Sequence, residues 1–170
     1  MVRISNREEC YAEGIREPSG EYEPHEIRKI SQVLPGVRMV HFQDVKLVRK
    51  RWGQERWLHE EDTPFGFKVI RIKAGHRTSL QYHAQKRETY HILEGKAVLV
   101  LRADKDGPDI RMDFPAGMIA HVEAGAIHRV EAVSDIVLVE ASTFDNGTDN
   151  IRIEDDYGRD GRDGRLPEEH

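Results

Sequence analysis

Gly75-His-Arg-Thr-Ser-Leu-Gln-Tyr-His-Ala-Gln-Lys-Arg-Glu-Thr-Tyr-His-Ile-Leu-Glu-Gly95 is the stretch on which the reading of this chain turns. Glycines bracket it, and between them stand metal-binding side chains at spacings an extended chain can use. Alternate residues of a strand share a face, so Gln81 and His83 point the same way, and a tight turn brings Glu88 back beside them. A second glycine-punctuated unit, Gly117-Met-Ile-Ala-His-Val-Glu-Ala-Gly125-Ala-Ile-His128, offers His128 from another strand. Gln81, His83, Glu88 and His128 are therefore the expected metal ligands. A single His in a strand is usually a packing or surface residue, and His25, His41, His59, His76, His91 and His170 are read that way. His83 and His128 stand apart because two separate motifs place them with Gln81 and Glu88. For His121, alternation alone leaves the choice of face open.

Outward from these motifs the chain reads as short β-prone runs separated by turn residues, which is the pattern of an all-β domain. Edge strands are expected at Val37 to Phe42 and Val45 to Val48. From Phe67 to Lys73 the residues Phe67, Val69 and Arg71 alternate with Lys68, Ile70 and Ile72, and neither face is cleanly apolar. Gly95 to Arg102 and Asp109 to Phe114, joined by Asp104-Lys-Asp-Gly-Pro108, read as a hairpin. Ile136-Val-Leu-Val-Glu-Ala-Ser is a largely buried strand interrupted by Glu140. An unpaired buried carboxylate is costly, so Glu140 should face a polar cavity or pair with a base. Trp52 and Trp57 are read as packing residues of the core or rim.

The ends differ from this centre. Residues 1 to about 23 hold few apolar side chains and read as an arm. Pro24, Ile27, Ile30 and Val33 or Leu34, closed by Pro35-Gly36, predict a short helix packed on the outside of the domain. The Gly/Asp/Arg bias after Tyr157 cannot build a core and predicts a mobile tail. The expected organisation is an arm and helix over 1–36, a β-barrel over 37–154 and a polar tail over 155–170.

A 170-residue chain with 38% apolar residues suits one soluble folded domain. Its net charge of −5 arises from interspersed acids and bases, so no basic face suited to nucleic acid stands out. No stretch is apolar for long enough to span a bilayer, the first residues lack an apolar signal core, and Cys10 has no partner for an internal disulfide. A cytoplasmic protein without membrane or nucleic-acid partners is expected.

The two motifs resemble those of the cupins. The first cupin motif reads Gly, five residues, His-x-His, three or four residues, Glu, six residues, Gly, and Gly75, Gln81, His83, Glu88 and Gly95 match it with Gln in place of the first His. The second reads Gly, five residues, Pro-x-Gly, two residues, His; Gly117, Gly125 and His128 match, with Glu123 at the Pro position. The resemblance implies a single-domain double-stranded β-helix, or jelly-roll barrel. Within the cupins, Ser79-Leu-Gln-Tyr-His83, Ala126-Ile-His-Arg129, Arg152-Ile-Glu-Asp-Asp-Tyr-Gly-Arg159 and Trp52-Gly53 resemble type II mannose-6-phosphate isomerase over roughly residues 50 to 159. That domain is often fused behind a guanylyltransferase, whose Gly-rich nucleotide-binding stretch this chain lacks. Where the family writes Arg-x-Glu-His-Trp, this chain has Lys86-Arg87-Glu88-Thr89-Tyr90. Lys86 for Arg and Thr89 for His leave room for a changed substrate or reaction.

What the resemblance implies is a metal-dependent isomerase or epimerase of a sugar or sugar phosphate. Two imidazoles, a carboxylate and an amide oxygen suit a divalent cation, Zn²⁺ first, with Mn²⁺, Fe²⁺, Co²⁺ or Ni²⁺ as alternatives. Such an ion polarises a sugar carbonyl while a base moves a proton between neighbouring carbons. Lys86 and Glu140 are the candidates for proton transfer, with a structural ion pair as the alternative for Glu140. Arg129 and Arg152 are the candidates for gripping a substrate phosphate, since guanidinium donors match its oxygens, and rim ion pairing is their alternative. The rival functions are an iron-dependent oxygenase using His83, Glu88 and His128, and a non-catalytic carbohydrate-binding module. Exposed sheet edges and the habits of the family lead us to expect a homodimer.

Overall fold

A computed structural model describes residues 36–60, 62–143 and 149–158. The predicted helix over Pro24 to Leu34 and the tail beyond Gly158 lie outside the described residues. The chain divides into two units, Met1–Asp44 and Val45–His170. In the first, the described residues 36–44 hold no strand. This corrects the edge strand expected at Val37 to Phe42. The reason is local: the Asp44 amide donates to the His41 carbonyl at 2.9 Å and the Gln43 amide to His41 Nδ1 at 3.2 Å, which turns the chain where a strand would have to continue.

The second unit is all-β. Its strands are β1 (Lys46–Lys50), β2 (Gly53–Trp57), β3 (Phe65–Ile72), β4 (Leu80–Tyr82), β5 (Glu88–Glu94), β6 (Lys96–Arg102), β7 (Ile110–Pro115), β8 (Ile119–Val122), β9 (Ile127–Ala132), β10 (Ile136–Thr143) and β11 (Ile151–Glu154). They form two antiparallel sheets, ordered β1-β2-β3-β10-β5-β8 and β11-β4-β9-β6-β7. Ile70, Ile92 and Leu138 of the first sheet share one apolar core with Leu99, Phe114 and Val130 of the second, so the sheets face one another as the jelly-roll expectation requires. Among the described residues no helix is long and apolar enough to cross a membrane.

Two glycines fix corners of this unit. Gly95, at φ +86°, is the single residue between β5 of one sheet and β6 of the other, and a Cβ there would stand 2.2 Å from the Asp135 carbonyl oxygen. Gly53, at φ +154°, lets β2 start so close to β3 that a Cβ would lie 1.9 Å from the Arg71 carbonyl oxygen.

Side-chain alternation then grades the interior from apolar to polar. On β10 the inward series runs Ile136, Leu138, Glu140, Ser142, all buried. Its register opposes Ile72, Ile70, Lys68 and Gly66 on one side, and Ile92, Tyr90 and Glu88 on the other, with the apolar members at one end. On β9 the corresponding series is Ala132, Val130, His128. One end of the interior is thus hydrocarbon and the other holds buried charge. Arg71, by contrast, is exposed on the outer face of β3.

The expected hairpin is present as β6 and β7, paired from Lys96↔Pro115 to Leu101↔Ile110. The ordered β unit also runs past the expected boundary at 154. Tyr157 packs against the core, its hydroxyl lying 3.1 Å from His76 Nδ1, and Asp156 is bonded by the Arg77 guanidinium.

Candidate metal centre

The polar end of the interior is where the two sequence motifs meet. On β4 and β9, Gln81 and His128 are register partners. Just beyond β4 the chain turns through Ala84, Gln85 and Lys86 before β5 opens with Glu88 in the facing sheet. That turn is organised by Asp149, whose carboxylate accepts the backbone N–H groups of Ala84 at 2.8 Å, Gln85 at 2.9 Å and Lys86 at 2.8 Å. Burial works against the Asp149 charge, but the three amide donors outweigh it and hold the carboxyl below its ordinary range. The carbonyl of the same residue accepts the His83 Nδ1–H at 2.6 Å. His128 donates its Nδ1–H to the Ala126 carbonyl at 2.9 Å. With Nδ1 facing a carbonyl on both rings, Nε2 is the atom each ring presents to the interior, the orientation in which imidazoles ligate a metal.

His83, Glu88 and His128 come together, all buried, with one potential ligand atom of each lying within 4.8 Å of the others. Glu88 Oε2 is 3.2 Å from His83 Nε2 and 3.1 Å from His128 Nε2. The His83 contact is out of line for a hydrogen bond, so His83 Nε2 is buried without a hydrogen-bond partner. His83, Glu88 and His128 form a group that could hold a metal ion, and the donor set fits a divalent one. Burial opposes the Glu88 charge, while the close approach of the His128 and His83 rings and the Lys86 charge hold its pKa well below the ordinary value. Tyr90 Oη lies 2.8 Å from Glu88 Oε2 and 3.2 Å from His128 Nε2. Burial raises its pKa far above normal, helped by the nearby charges of Glu88 and Glu140.

Gln81, the fourth expected ligand, lines the same cavity, and its Oε1 accepts the Ser79 hydroxyl at 2.7 Å. The cavity wall also includes Lys86, Glu140 and Arg152, three of the four residues expected to act on substrate. Lys86 Nζ is 2.7 Å from Glu88 Oε1 and 3.4 Å from Glu140 Oε1, and Lys68 Nζ approaches the same Glu140 oxygen at 3.5 Å. Glu140 therefore both faces the cavity and pairs with bases. Arg152 stands across from Gln81 in the β11–β4 register.

Arg129 is placed elsewhere. It follows His128 in a regular strand, so it takes the opposite face; there it is 2% exposed and its guanidinium is bonded to Glu154. Arg129, expected to grip a substrate phosphate, is thus held in an ion pair with Glu154 and does not line the cavity that holds Lys86, Glu140 and Arg152. His121 is likewise outside, exposed and 3.0 Å from the Thr89 hydroxyl. Three residues at the site went unrecognised in the sequence reading. Lys68 and Tyr90 were marked only by parity, two residues from Ile70 and from Glu88; Asp149 carried no local signal, being more than sixty residues from the turn it holds.

Residues 38–155 match the family described as mannose-6-phosphate isomerase C-terminal. The chain belongs to this family. No curated protein matches the sequence. Among solved structures, it superposes on the capsular polysaccharide assembling protein CapF from Staphylococcus aureus with a TM-score of 0.59 and 19% identity, over 72% of this chain and 34% of that one. It also superposes on oxalate decarboxylase from Bacillus subtilis with a TM-score of 0.60 and 17% identity, over 81% of this chain and 41% of that one. The isomerase-family chain thus spans about a third to two fifths of these proteins, and at such identities the likeness establishes the cupin fold alone.

Proposed function

We propose that this member of the mannose-6-phosphate isomerase C-terminal family is a metal-dependent isomerase of a sugar or sugar phosphate. The observation that carries the reading is the opening of His83 and Glu88 onto one cavity with the buried Lys86–Glu140–Lys68 cluster. A divalent cation held by His83, Glu88 and His128, with Gln81 beside them, would supply Lewis acidity at a substrate carbonyl. The remaining chemistry falls to the chain's own groups. Glu140 takes the proton from the carbon next to the carbonyl and returns it to the former carbonyl carbon. Lys86, protonated between two carboxylates, gives a proton to the carbonyl oxygen and recovers one from the neighbouring hydroxyl. No electrons enter or leave, and the substrate's atoms balance.

Charge and size of the cavity bear on the substrate. The wall carries Lys50, Lys68, Lys86 and Arg152 against Glu55, Glu88 and Glu140, a balance that favours an anionic substrate once a cation is added. Its volume is about 120 Å³. That is below the roughly 300 Å³ at which pockets begin to enclose a whole small ligand. The reacting carbons therefore sit inside, and a phosphate lies towards Arg152.

The test is metal analysis of protein purified without added metal, together with conversion assays on a panel of aldoses, ketoses and their phosphates. Bound divalent metal with reversible aldose–ketose conversion, abolished in Glu140→Gln while metal content stays, is the expected result. Full metal occupancy with no conversion of any panel member overturns the isomerase reading; iron with oxygen-dependent loss of an organic substrate replaces it with an oxidative one.

A further inference from the structure

We infer that the outer face of the first sheet carries a binding site for an organic phosphate, separate from the interior cavity and independent of the metal reading. A hollow of about 570 Å³ opens there, within the roughly 300–1,000 Å³ range of small-molecule sites. Of the residues lining it, only Lys50 also lines the interior cavity. Most of its wall is one cross-strand row. Arg49 of β1 opposes Gln54 of β2, Gln54 opposes Arg71 of β3, Arg71 opposes Val137 of β10, and Val137 opposes Glu94 of β5. Lys73, one residue past the end of β3, and Asp135, one residue ahead of β10, adjoin the row.

Arginines elsewhere in the described residues are engaged, Arg77 with Glu131 and Asp156, Arg87 with Glu123 and Arg102 with Asp109 among them. Arg49 and Arg71 are the exceptions: among the described residues neither guanidinium has a hydrogen bond or ion pair, and the Lys73 ammonium has none either. In a chain of net charge −5, cations left without carboxylates in one ligand-sized hollow are a local reversal. Register accounts for it. Neighbouring strands lie about 4.8 Å apart, so Arg49 and Arg71 stand roughly 10 Å apart across Gln54, and Arg71 and Glu94 as far apart across Val137. The hollow is therefore basic on the β1 to β3 side and acidic on the β10 to β5 side, where Asp135 is steadied by the Ala74 amide at 2.7 Å. An anion over Gln54 is within reach of a forked guanidinium from either side, with Lys73 adding charge, and this is the donor set that suits phosphate oxygens. At the other side the carboxylates repel a second anion and accept hydrogen bonds from hydroxyl or amino groups. The ligand is accordingly two-ended, with phosphate at one end and hydrogen-bond donors at the other.

The experiment is equilibrium dialysis of the full-length chain, with chelator present, against inorganic phosphate, glucose 6-phosphate and ADP. The expected result is that at least one organic phosphate binds about tenfold more tightly than inorganic phosphate, glucose 6-phosphate where the far end takes sugar hydroxyls and ADP where it takes a nucleoside. Added salt should weaken the binding, because the cations are exposed. Arg49→Gln and Arg71→Gln should each weaken it about tenfold at unchanged Tm, since neither guanidinium supports a contact in the fold. Glu94→Gln should act with opposite signs, weakening the organic phosphate and leaving inorganic phosphate as tight or tighter. Arg152→Gln, which alters the interior cavity, should leave the same binding unchanged. Organic phosphates that bind no more tightly than inorganic phosphate overturn the two-ended site. Binding that survives Arg49→Gln and Arg71→Gln but is lost in Arg152→Gln also overturns it and leaves the interior substrate site standing. Absence of binding by all three probes overturns it without touching the metal reading.

Discussion

Lys86→Met in the metal-free protein is the sharpest probe of the buried charge cluster. Lys86 is 6% exposed and serves two buried carboxylates, at 2.7 Å to Glu88 and 3.4 Å to Glu140. Coulomb attraction varies inversely with distance, so the Glu88 contact is roughly a quarter stronger per charge. Glu140 keeps Lys68 at 3.5 Å when Lys86 is removed. The penalty therefore falls mainly on Glu88, and breaking a buried ion pair of this kind costs about 3–5 kcal/mol. Glu140→Gln leaves Lys86 on its closer partner and should cost about 1–2 kcal/mol. The double variant should lose less than the sum of the two, by about 1–2 kcal/mol, because the Glu140 charge is partly a liability once Lys86 is gone. Urea unfolding of the four proteins with chelator present measures all of these terms. A Lys86→Met loss below about 1 kcal/mol, or strict additivity, would refute the idea that one lysine neutralises both carboxylates.

Further outcomes follow from other contacts. Asp149→Ala, which removes the carboxylate that accepts from three backbone amides while leaving the carbonyl that holds His83, should lower stability by about 2–3 kcal/mol and weaken metal binding about tenfold; dialysis against a metal buffer checks the second effect. Arg129→Met should destabilise the fold and leave substrate KM unchanged, since its guanidinium is committed to Glu154; a rise in KM at unchanged stability would return Arg129 to the substrate site. Glu131 is flanked by Arg77 at 3.2 Å and Arg111 at 2.6 Å; burial opposes its charge, but these partners lower its pKa below the ordinary 4.5. The native state therefore releases this proton more readily than the unfolded chain, and the contribution is complete above 4.5 and disappears as pH falls through the lowered native value. Glu131→Gln should accordingly lose about 1 kcal/mol at neutral pH and converge with the unsubstituted protein in acid, as read from denaturant midpoints across pH.

How much of this was legible in the sequence depends on the range of the interaction. The all-β class, the β6–β7 hairpin and the meeting of His83, Glu88 and His128 were all visible, because glycine turns and period-two spacing act over a few residues. Val37 to Phe42 was misread because β-prone residues say nothing about whether a partner strand is available, while His41 offers its neighbours nearer hydrogen-bond acceptors. Arg129 is a different case. Once His128 is assigned to the interior, adjacent Arg129 in an unbroken strand must face away, so parity already contained the answer. Asp149 was out of reach, since its contacts to Ala84, Gln85 and Lys86 exist only after the chain has closed.

The same parity separates the two departures from the family motif. Thr89 lies between inward-facing Glu88 and Tyr90, and its hydroxyl meets His121 on the outer face, so replacing the family's His there leaves the cavity wall unaltered. Lys86 lines the cavity and touches Glu88 directly. Exchanging a guanidinium for an ammonium at that point trades a planar fork, able to grip a carboxylate and a substrate oxygen together, for a compact charge shared between Glu88 and Glu140. Of the two, the Lys86 position is the one at which a change of substrate would be written. Lys86→Arg should therefore shift preference among the sugars of the panel, whereas Thr89→His should leave it unchanged; the reverse pattern would place specificity on the outer face of β5.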